Sequence, residues 1–223
     1  MEILRAVHER KSIRKFKSDP VPRVMLEEIL EAAQRSPSAI NTQPWECWAV
    51  GGETAKQLAE EIYRAGQNDE VSRADFPFIG QWKEVYINRM RENGKRLFGL
   101  LGIQQDREGR RAFSLSMYKF YDAPQVIYVC LDESLGHYSI FDCGCFAQTV
   151  CLMAASKGLG TCILESAVRY PDIIRKHLGI PPQKKILVGI AIGHPDRGAI
   201  INEFTSSREP LENVVQWLDI MEE

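Results

Sequence analysis

Residues 139–158 read SIFDCGCFAQTVCLMAASKG, a helix-length run that is apolar nearly all the way round. A surface helix carries an apolar stripe and a polar back, whereas a helix apolar on every side has to be covered on every side. A chain of 223 residues buries a substantial core, but wrapping one helix completely asks much of so few elements. The run predicts either a central helix or one shared with a second copy of the chain, with residues 142–157 at the contact. No stretch approaches the roughly 18 uninterrupted apolar residues of a membrane helix, so a bilayer is not expected to supply the cover.

The rest of the chain supplies partners for such a helix. APQVIYVCLD (123–132) and KILVGIAIGH (185–194) are continuous apolar runs rich in β-branched residues, and TCILES (161–166) and CWAVGG (47–52) are shorter ones. Strands covered on both faces lose their polar alternation and read in this way. Helices are expected at 1–9 and at 23–35, where Met25, Ile29 and Ala33 share a face with Leu26 and Leu30 beside them and Pro37 ends the run. Another is expected at 53–66, with Gly66 as its C-terminal cap. Pro171 opens a short helix, PDIIRKHLG, and Pro210 opens a last one that frays. One α+β domain over 1–223 is the simplest account. Residues 67–120 stand apart, charged and scattered with aromatics, with one helix at about 82–98. That segment reads as a lid-like cover over a site.

Charge and motifs exclude several functions. The formal net charge of −2 offers nothing overall to nucleic acid or to an anionic membrane. MEILRAVHERKSIRKF at the start has no apolar stretch of the signal-peptide kind. Cys47, Cys130, Cys143, Cys145, Cys151 and Cys162 mostly have apolar neighbours, as small hydrophobes do; a cytoplasmic protein is expected. A metal site on Cys143, Cys145 and Cys151 is the sharper alternative, but no His stands at ligand spacing and there is no C-x-x-C pair, so no metal is expected. GLGTCI (158–163) has Ile163 where a dinucleotide loop needs its third glycine, and ENGKRL has Arg89 where a P-loop needs its first. His8, His137, His177 and His194 are scattered, and neither a G-x-S-x-G elbow nor an H-E-x-x-H pair occurs.

The strongest local signal is ERKSIRKF (9–16), where Arg10, Lys11 and Arg14 stand around Ser12 at a helix-to-loop transition. Guanidinium forks and a hydroxyl suit phosphate oxygens; a solvated basic face is the other reading. SSREP (206–210) brings another arginine, Arg208, and SPSAINTQPW (36–45) is a tight polar turn between a helix and a strand.

Taken in order, RKSIRKF, SPSAINTQPW, GLGTC and SSREPLENV resemble the FMN-dependent nitroreductase family over nearly the whole chain. WKEVYINRMRENGKRLFGLLGI and YKFYDAP resemble the branch containing 4-nitrobenzoate reductase, and in part the lid of iodotyrosine deiodinase. The resemblance implies a central mixed sheet flanked by helices and a homodimer built on long helices, with FMN at both interfaces. It implies that Arg10 and Arg208 grip the flavin phosphate with Ser12 and Lys11, and that Arg14 reaches the N1/O2 edge, with Lys119 as a second cation there. Ile163, Leu164 and Glu165 would lie beside N5, Glu165 through its backbone. Pro37, Ser38, Ala39 and Asn41 would lie against the flavin bound mainly by the other subunit, with Gln43 a weaker contact and Trp45 packed beneath. Tyr86, Arg89 and Phe98, on the expected helix in the cover, are the substrate candidates.

The activity so implied passes electrons from NADH or NADPH to a small nitroaromatic or quinone acceptor with ping-pong kinetics, the cofactor carrying the chemistry. Reductive dehalogenation in the same fold and a non-catalytic flavin sensor remain alternatives. A phospho-ligand or nucleic-acid module using the basic segment is a third, against which the charge balance counts.

Overall fold

A computed structural model describes residues 2–77 and 80–220. Four strands, β1 (Glu46–Gly51), β2 (Gln125–Asp132), β3 (Gly160–Leu164) and β4 (Lys184–Gly193), form one sheet in the order β1-β2-β4-β3. All three pairings are antiparallel. The parallel element of the expected mixed sheet is confined, among the described residues, to an isolated bridge between Ser12 and Thr161.

The sheet is covered on both faces, which explains the unbroken apolar runs. Side chains alternate along a strand, so Ile127, Val129 and Leu131 of β2 face one layer and Val126, Tyr128 and Cys130 the other. The first layer holds α2 (Arg23–Ala33) and α6 (His137–Ser156), which bury Leu26, Ile29 and Ala33 with Phe146, Val150 and Ala154. The second holds α3 (Gly52–Gln67) and α7 (Pro171–Leu178), with Leu58, Ile62 and Ile174 in its core. The remaining helices are α1 (Ile3–Glu9), α4 (Glu84–Leu100) and α5 (Arg107–Ser116).

Helix α6 is central on one side only. Cys143, Phe146, Ala147 and Val150 are buried against the sheet, while Tyr138 (81% exposed) and Phe141 (69%) lie outside with Gly144 and Gln148. Cys145 and Leu152 continue this outer stripe half-buried. By length, 20 residues, and mean hydropathy, 1.3, this helix is apolar enough to cross a membrane, contrary to the expectation that no run comes close. Its inner face is nevertheless packed on β2 and β4.

Four expectations change. Gly66 is not a cap: it lies inside α3, where a Cβ would come within 2.3 Å of the Tyr118 ring, and Asn68 ends the helix. The expected helix after Pro210 is a single turn, Leu211–Asn213, because its apolar residues find no surface of their own chain, and Leu211, Val214, Trp217 and Leu218 stay exposed. Residues 67–120 carry a second helix, α5, started by Asp106, whose side chain accepts from Gly109 N at 2.9 Å. Cys143 and Cys151 face the core while Cys145 lies toward the outer side, so the helix separates the three thiols and burial pushes Cys143 up to about 12. The metal alternative lapses on that geometry.

Candidate active site

The segment after α1 runs as an extended edge beside β3. Ile13 N donates to the Thr161 carbonyl (2.9 Å) and Lys17 N to the His194 carbonyl (2.9 Å). Ile13 and Phe16 turn inward and are buried, leaving Arg10, Ser12 and Arg14 on the other side. The approach is close enough to require glycine at 160, where a Cβ would stand 2.6 Å from Ile13 Cγ1. Arg14 is anchored by its own N–H, which donates to Asn202 Oδ1 at 2.8 Å; Asn202, itself buried, donates in turn to the carbonyls of Lys15 and Asp196.

A cleft of about 330 Å³ opens along this segment, lined by Val7, His8, Arg10, Lys11, Ser12, Arg14, Phe204, Thr205, Ser206 and Arg208. Five expected phosphate and flavin residues thus come together, Arg208 across nearly two hundred positions of sequence. The cleft has four Lys or Arg side chains, three hydroxyls and no carboxylate. The neighbouring cleft that Arg10 and Lys11 also border contains Glu9 and Glu203. Concentrated, uncompensated positive charge with hydroxyl donors fits a phosphate dianion. Arg208 is braced to meet such an anion, since its Nη1 donates to Ser206 Oγ (2.8 Å) and to the Ser206 and Ser207 carbonyls (3.2 and 2.9 Å).

The C-terminal end of β3 lies just beyond Thr161, the residue bridged to Ser12. Ile163 is half-exposed, Leu164 is buried, and Glu165 pairs with Arg169 (3.3 Å). Beneath it Cys162 is buried, which raises its thiol to about 11 against the opposing pull of Arg14 and a hydrogen bond with Ser12.

The turn at 36–45 does not line this cleft in its own chain. Pro37, Ala39 and Asn41 are exposed and Ile40 projects almost fully. Ile40, Asn41 and Gln43 adopt positive φ (53°, 58° and 45°). Ser38 Oγ accepts from Gln43 N at 3.0 Å, and Ala39 N donates to buried Asp142 of α6 at 3.1 Å. Trp45 packs under the turn, stacked on Phe146 at 5.0 Å.

A second cleft, about 730 Å³, lies between α4 and the 207–209 segment and includes Trp82, Tyr86, Arg89 and Arg208. Tyr86 and Arg89 both line it. Arg89 is already paired, however: its Nε donates to Glu209 at 3.0 Å and its guanidinium lies 5.7 Å from the Tyr86 ring. The acidic partner expected from a substrate is supplied from within the chain. Phe98 is turned away, edge-on to Phe113 (6.0 Å) in the cluster of Leu97, Ile201 and Phe204. Lys119 also stands elsewhere, its Nζ 3.1 Å from Glu60 and 4.1 Å from the Tyr63 ring centroid on α3.

Three contributors had no signal in the sequence. Phe204 lies between two guanidinium groups, those of Arg14 and Arg96, each 5.7 Å from its ring. Asn202 holds the backbone of Arg14, and Tyr121 approaches its side chain. Each acts through contacts distant in sequence, which neither spacing nor periodicity encodes.

A sheet buried on both faces, edged by an extended arginine-bearing segment and a carboxylate-free cationic cleft, defines an α+β protein with a cleft suited to an anion. The chain belongs to the nitroreductase family, whose model matches residues 7–194. It is 31% identical over 219 residues to 4-nitrobenzoate reductase of Nocardioides sp. (strain LMS-CY), covering 95% of this chain and 88% of that one. The FMN and NADPH-dependent nitroreductase NfnB of Sphigopyxis sp. strain HMH superposes with a TM-score of 0.93 at 28% identity, over 99% of this chain and all of that one. The FMN-dependent NfnB of Mycobacterium smegmatis, solved in complex with NADPH, superposes with a TM-score of 0.90 at 29% identity, over 97% of this chain and all of that one.

Proposed function

We propose that this protein is an FMN-dependent oxidoreductase that passes electrons from NADH or NADPH to a small nitroaromatic or quinone acceptor. The observation that carries the reading is the cationic cleft free of carboxylates, set against the end of β3. When bound, FMN supplies the redox chemistry, accepting hydride at N5 and passing electrons on.

The chain's own residues bind and tune. Arg10, Lys11, Ser12 and Arg208 hold the phosphate. Arg14 sets a positive charge at the N1/O2 edge, which favours the reduced, negatively charged cofactor. Ile163, Leu164 and Glu165 offer backbone beside N5. Lys119, committed to Glu60, and Phe98, committed to Phe113, are left out of the set. Tyr86 and Trp82 place aromatic surface on the cover at 67–120, suited to a flat acceptor.

The working unit is a homodimer on this reading. The outer stripe of α6, the exposed Ile3, Leu4 and Val7 of α1, and the apolar tail at 211–220 are more uncovered apolar surface than one chain leaves by chance. A second copy covers them and presents Pro37, Ser38, Ala39 and Asn41 to the flavin of its neighbour. The six cysteines are all unpaired, which supports a reducing, cytoplasmic setting.

The test is a spectrum of the purified protein after incubation with FMN, then anaerobic titration with each nicotinamide and with nitrobenzoate. Bleaching at stoichiometric nicotinamide and recovery with the acceptor are expected. A protein that retains no flavin, or whose flavin no nicotinamide bleaches, refutes the proposal.

A further inference from the structure

Residues 204–210 run as irregular chain between the single turns Ile200–Glu203 and Leu211–Asn213, exposed at 205 and at 207–209. This stretch carries Arg208, whose side chain lines both the phosphate cleft and the cleft beside α4. Ordering a side chain on irregular, exposed backbone costs entropy when an anion arrives, unless the backbone is already held. The bonds from Arg208 to Ser206 and Ser207 tie it to its own stretch and not to the rest of the molecule.

The outside hold comes from α4, on both sides of Arg208. Before it, Arg96 Nη2 donates to the Thr205 carbonyl at 3.1 Å, and the same guanidinium lies over the buried Phe204 ring at 5.7 Å. After it, Arg89 Nε donates to Glu209 Oε1 at 3.0 Å. Arg89 and Arg96 are two helical turns apart, so they share a face and stand about 10 Å apart along the axis. An extended chain covers that distance in three or four residues, which is the step from Thr205 to Glu209. The stretch therefore lies along α4 in the opposite direction, with Arg208 between its two anchors.

The dependence is mutual. Among the described residues of α4, Leu97 alone is buried, and it packs with Ile201 and Phe204. The cover helix is seated on the chain that lines the phosphate cleft.

We propose that α4 and residues 204–209 act as one mechanical unit, in which Arg89 and Arg96 are positioning residues that hold Arg208 ready for the flavin phosphate, and the phosphate in turn steadies the cover over the acceptor. Such coupling between two ligand sites is reciprocal. The inference rests on the FMN reading above and adds to it two arginines that act on the phosphate only through Arg208.

The experiment measures FMN and riboflavin affinity by fluorescence titration of apoprotein. The variants are Arg89→Ala, Arg96→Ala and both together, each made in wild type and in Arg208→Ala. An exposed ion pair shifts an equilibrium by a few-fold, so each single variant should weaken FMN about threefold, and the pair by more. Riboflavin, which has no phosphate, should bind all of them as it binds wild type. In Arg208→Ala the same changes should cost FMN nothing further. Glu209→Arg should restore most of the FMN affinity that Arg89→Glu removes. Unchanged FMN affinity in the double variant, an equal loss for riboflavin, or full additivity with Arg208→Ala overturns the inference. In wild type, FMN should slow amide hydrogen exchange across 84–100 more than riboflavin does at matched saturation; equal protection also overturns it. A wild-type chain that takes up no FMN defeats the functional reading and this inference together, a result distinct from flavin-binding variants with unchanged affinity.

Discussion

Removing Arg208 tests the phosphate end of the cleft most directly. The guanidinium is pre-set by three bonds to Ser206 and Ser207, so little ordering is required when a phosphate arrives. A charge-assisted hydrogen bond contributes about 1.5–3 kcal/mol, and the exposure of Arg208 places it at the lower end. At about 1.4 kcal/mol per factor of ten, Arg208→Ala should weaken FMN binding roughly tenfold. Arg10, Lys11 and Ser12 remain in the cleft, so binding should survive at micromolar flavin. Arg14→Ala should weaken FMN less, because on the proposed reading that side chain meets the ring system and not the phosphate, and should change the potential instead. The assay is quenching of FMN fluorescence on titration with apoprotein, run in parallel with riboflavin, which lacks the phosphate. Wild type and Arg208→Ala should bind riboflavin equally. An unchanged FMN affinity, or an equal loss for FMN and riboflavin, would refute the assignment of Arg208 to the phosphate.

Four other outcomes follow from particular contacts. Because Glu209 already satisfies Arg89, Arg89→Ala should lower kcat/KM for nitrobenzoate and nitrobenzene alike; a loss confined to nitrobenzoate in steady-state assays would return Arg89 to the acceptor site. Gly66→Ala forces a methyl into the Tyr118 ring and should cost about 1–3 kcal/mol, seen as a melting point lower by several degrees; an unchanged melting point would mean the ring moves freely. Phe141→Arg on the outer stripe of α6 should give monomers by sedimentation and lose FMN on gel filtration, and a flavin-loaded monomer would break the link between association and the site. Glu61 is held below its usual range by hydrogen bonds from His177 and then Lys176, so it stabilises the fold above the ordinary Glu value of about 4.3. Glu61→Gln should therefore melt lower than wild type at pH 7, with the gap closing as the pH falls below about 4.

The parts of the fold that were legible in the sequence are those with one dominant cause. β2 and β4 read as unbroken apolar runs because both faces are covered, and α6 reads as apolar all round because the sheet takes one side and leaves the other uncovered. α5 hides in the sequence because its stripe is thin, with Phe113 and Leu115 packed on the core and no residue buried completely; only Asp106 at its start announces it. Gly66 matches a cap by position, and only the Tyr118 ring, fifty residues away in sequence, reveals its use. At the cleft, Arg10, Lys11, Ser12 and Arg14 were legible as a cluster because they are nearly consecutive. Their supports were not. Asn202, Phe204 and Tyr121 reach Arg14 only through the return of the chain from 120–122 and from 202–204, and no local pattern distinguishes them. Lys119 stands apart from them, next to the left-handed run that begins at Phe120 and paired with Glu60 of α3.

The turn at 36–45 joins these two levels. Its own chain gives it no cofactor to contact, yet its conformation is fixed in detail: Ser38 closes it, Ala39 is pinned to Asp142, and Ser36 meets Thr149 at 2.9 Å. Both anchoring residues, Asp142 and Thr149, lie on α6, the helix whose outer stripe is uncovered. Holding Ile40 at positive φ costs of order 1–2 kcal/mol, and Asn41 beside it costs less. A solitary chain gains nothing from that strain. In the proposed homodimer the same helix that associates also carries the turn, so association sets exposed Pro37, Ala39 and Asn41 against the neighbour's cleft in a conformation already prepared. On this account the apolar helix that dominates the sequence is the element through which each half of the molecule completes the other's site.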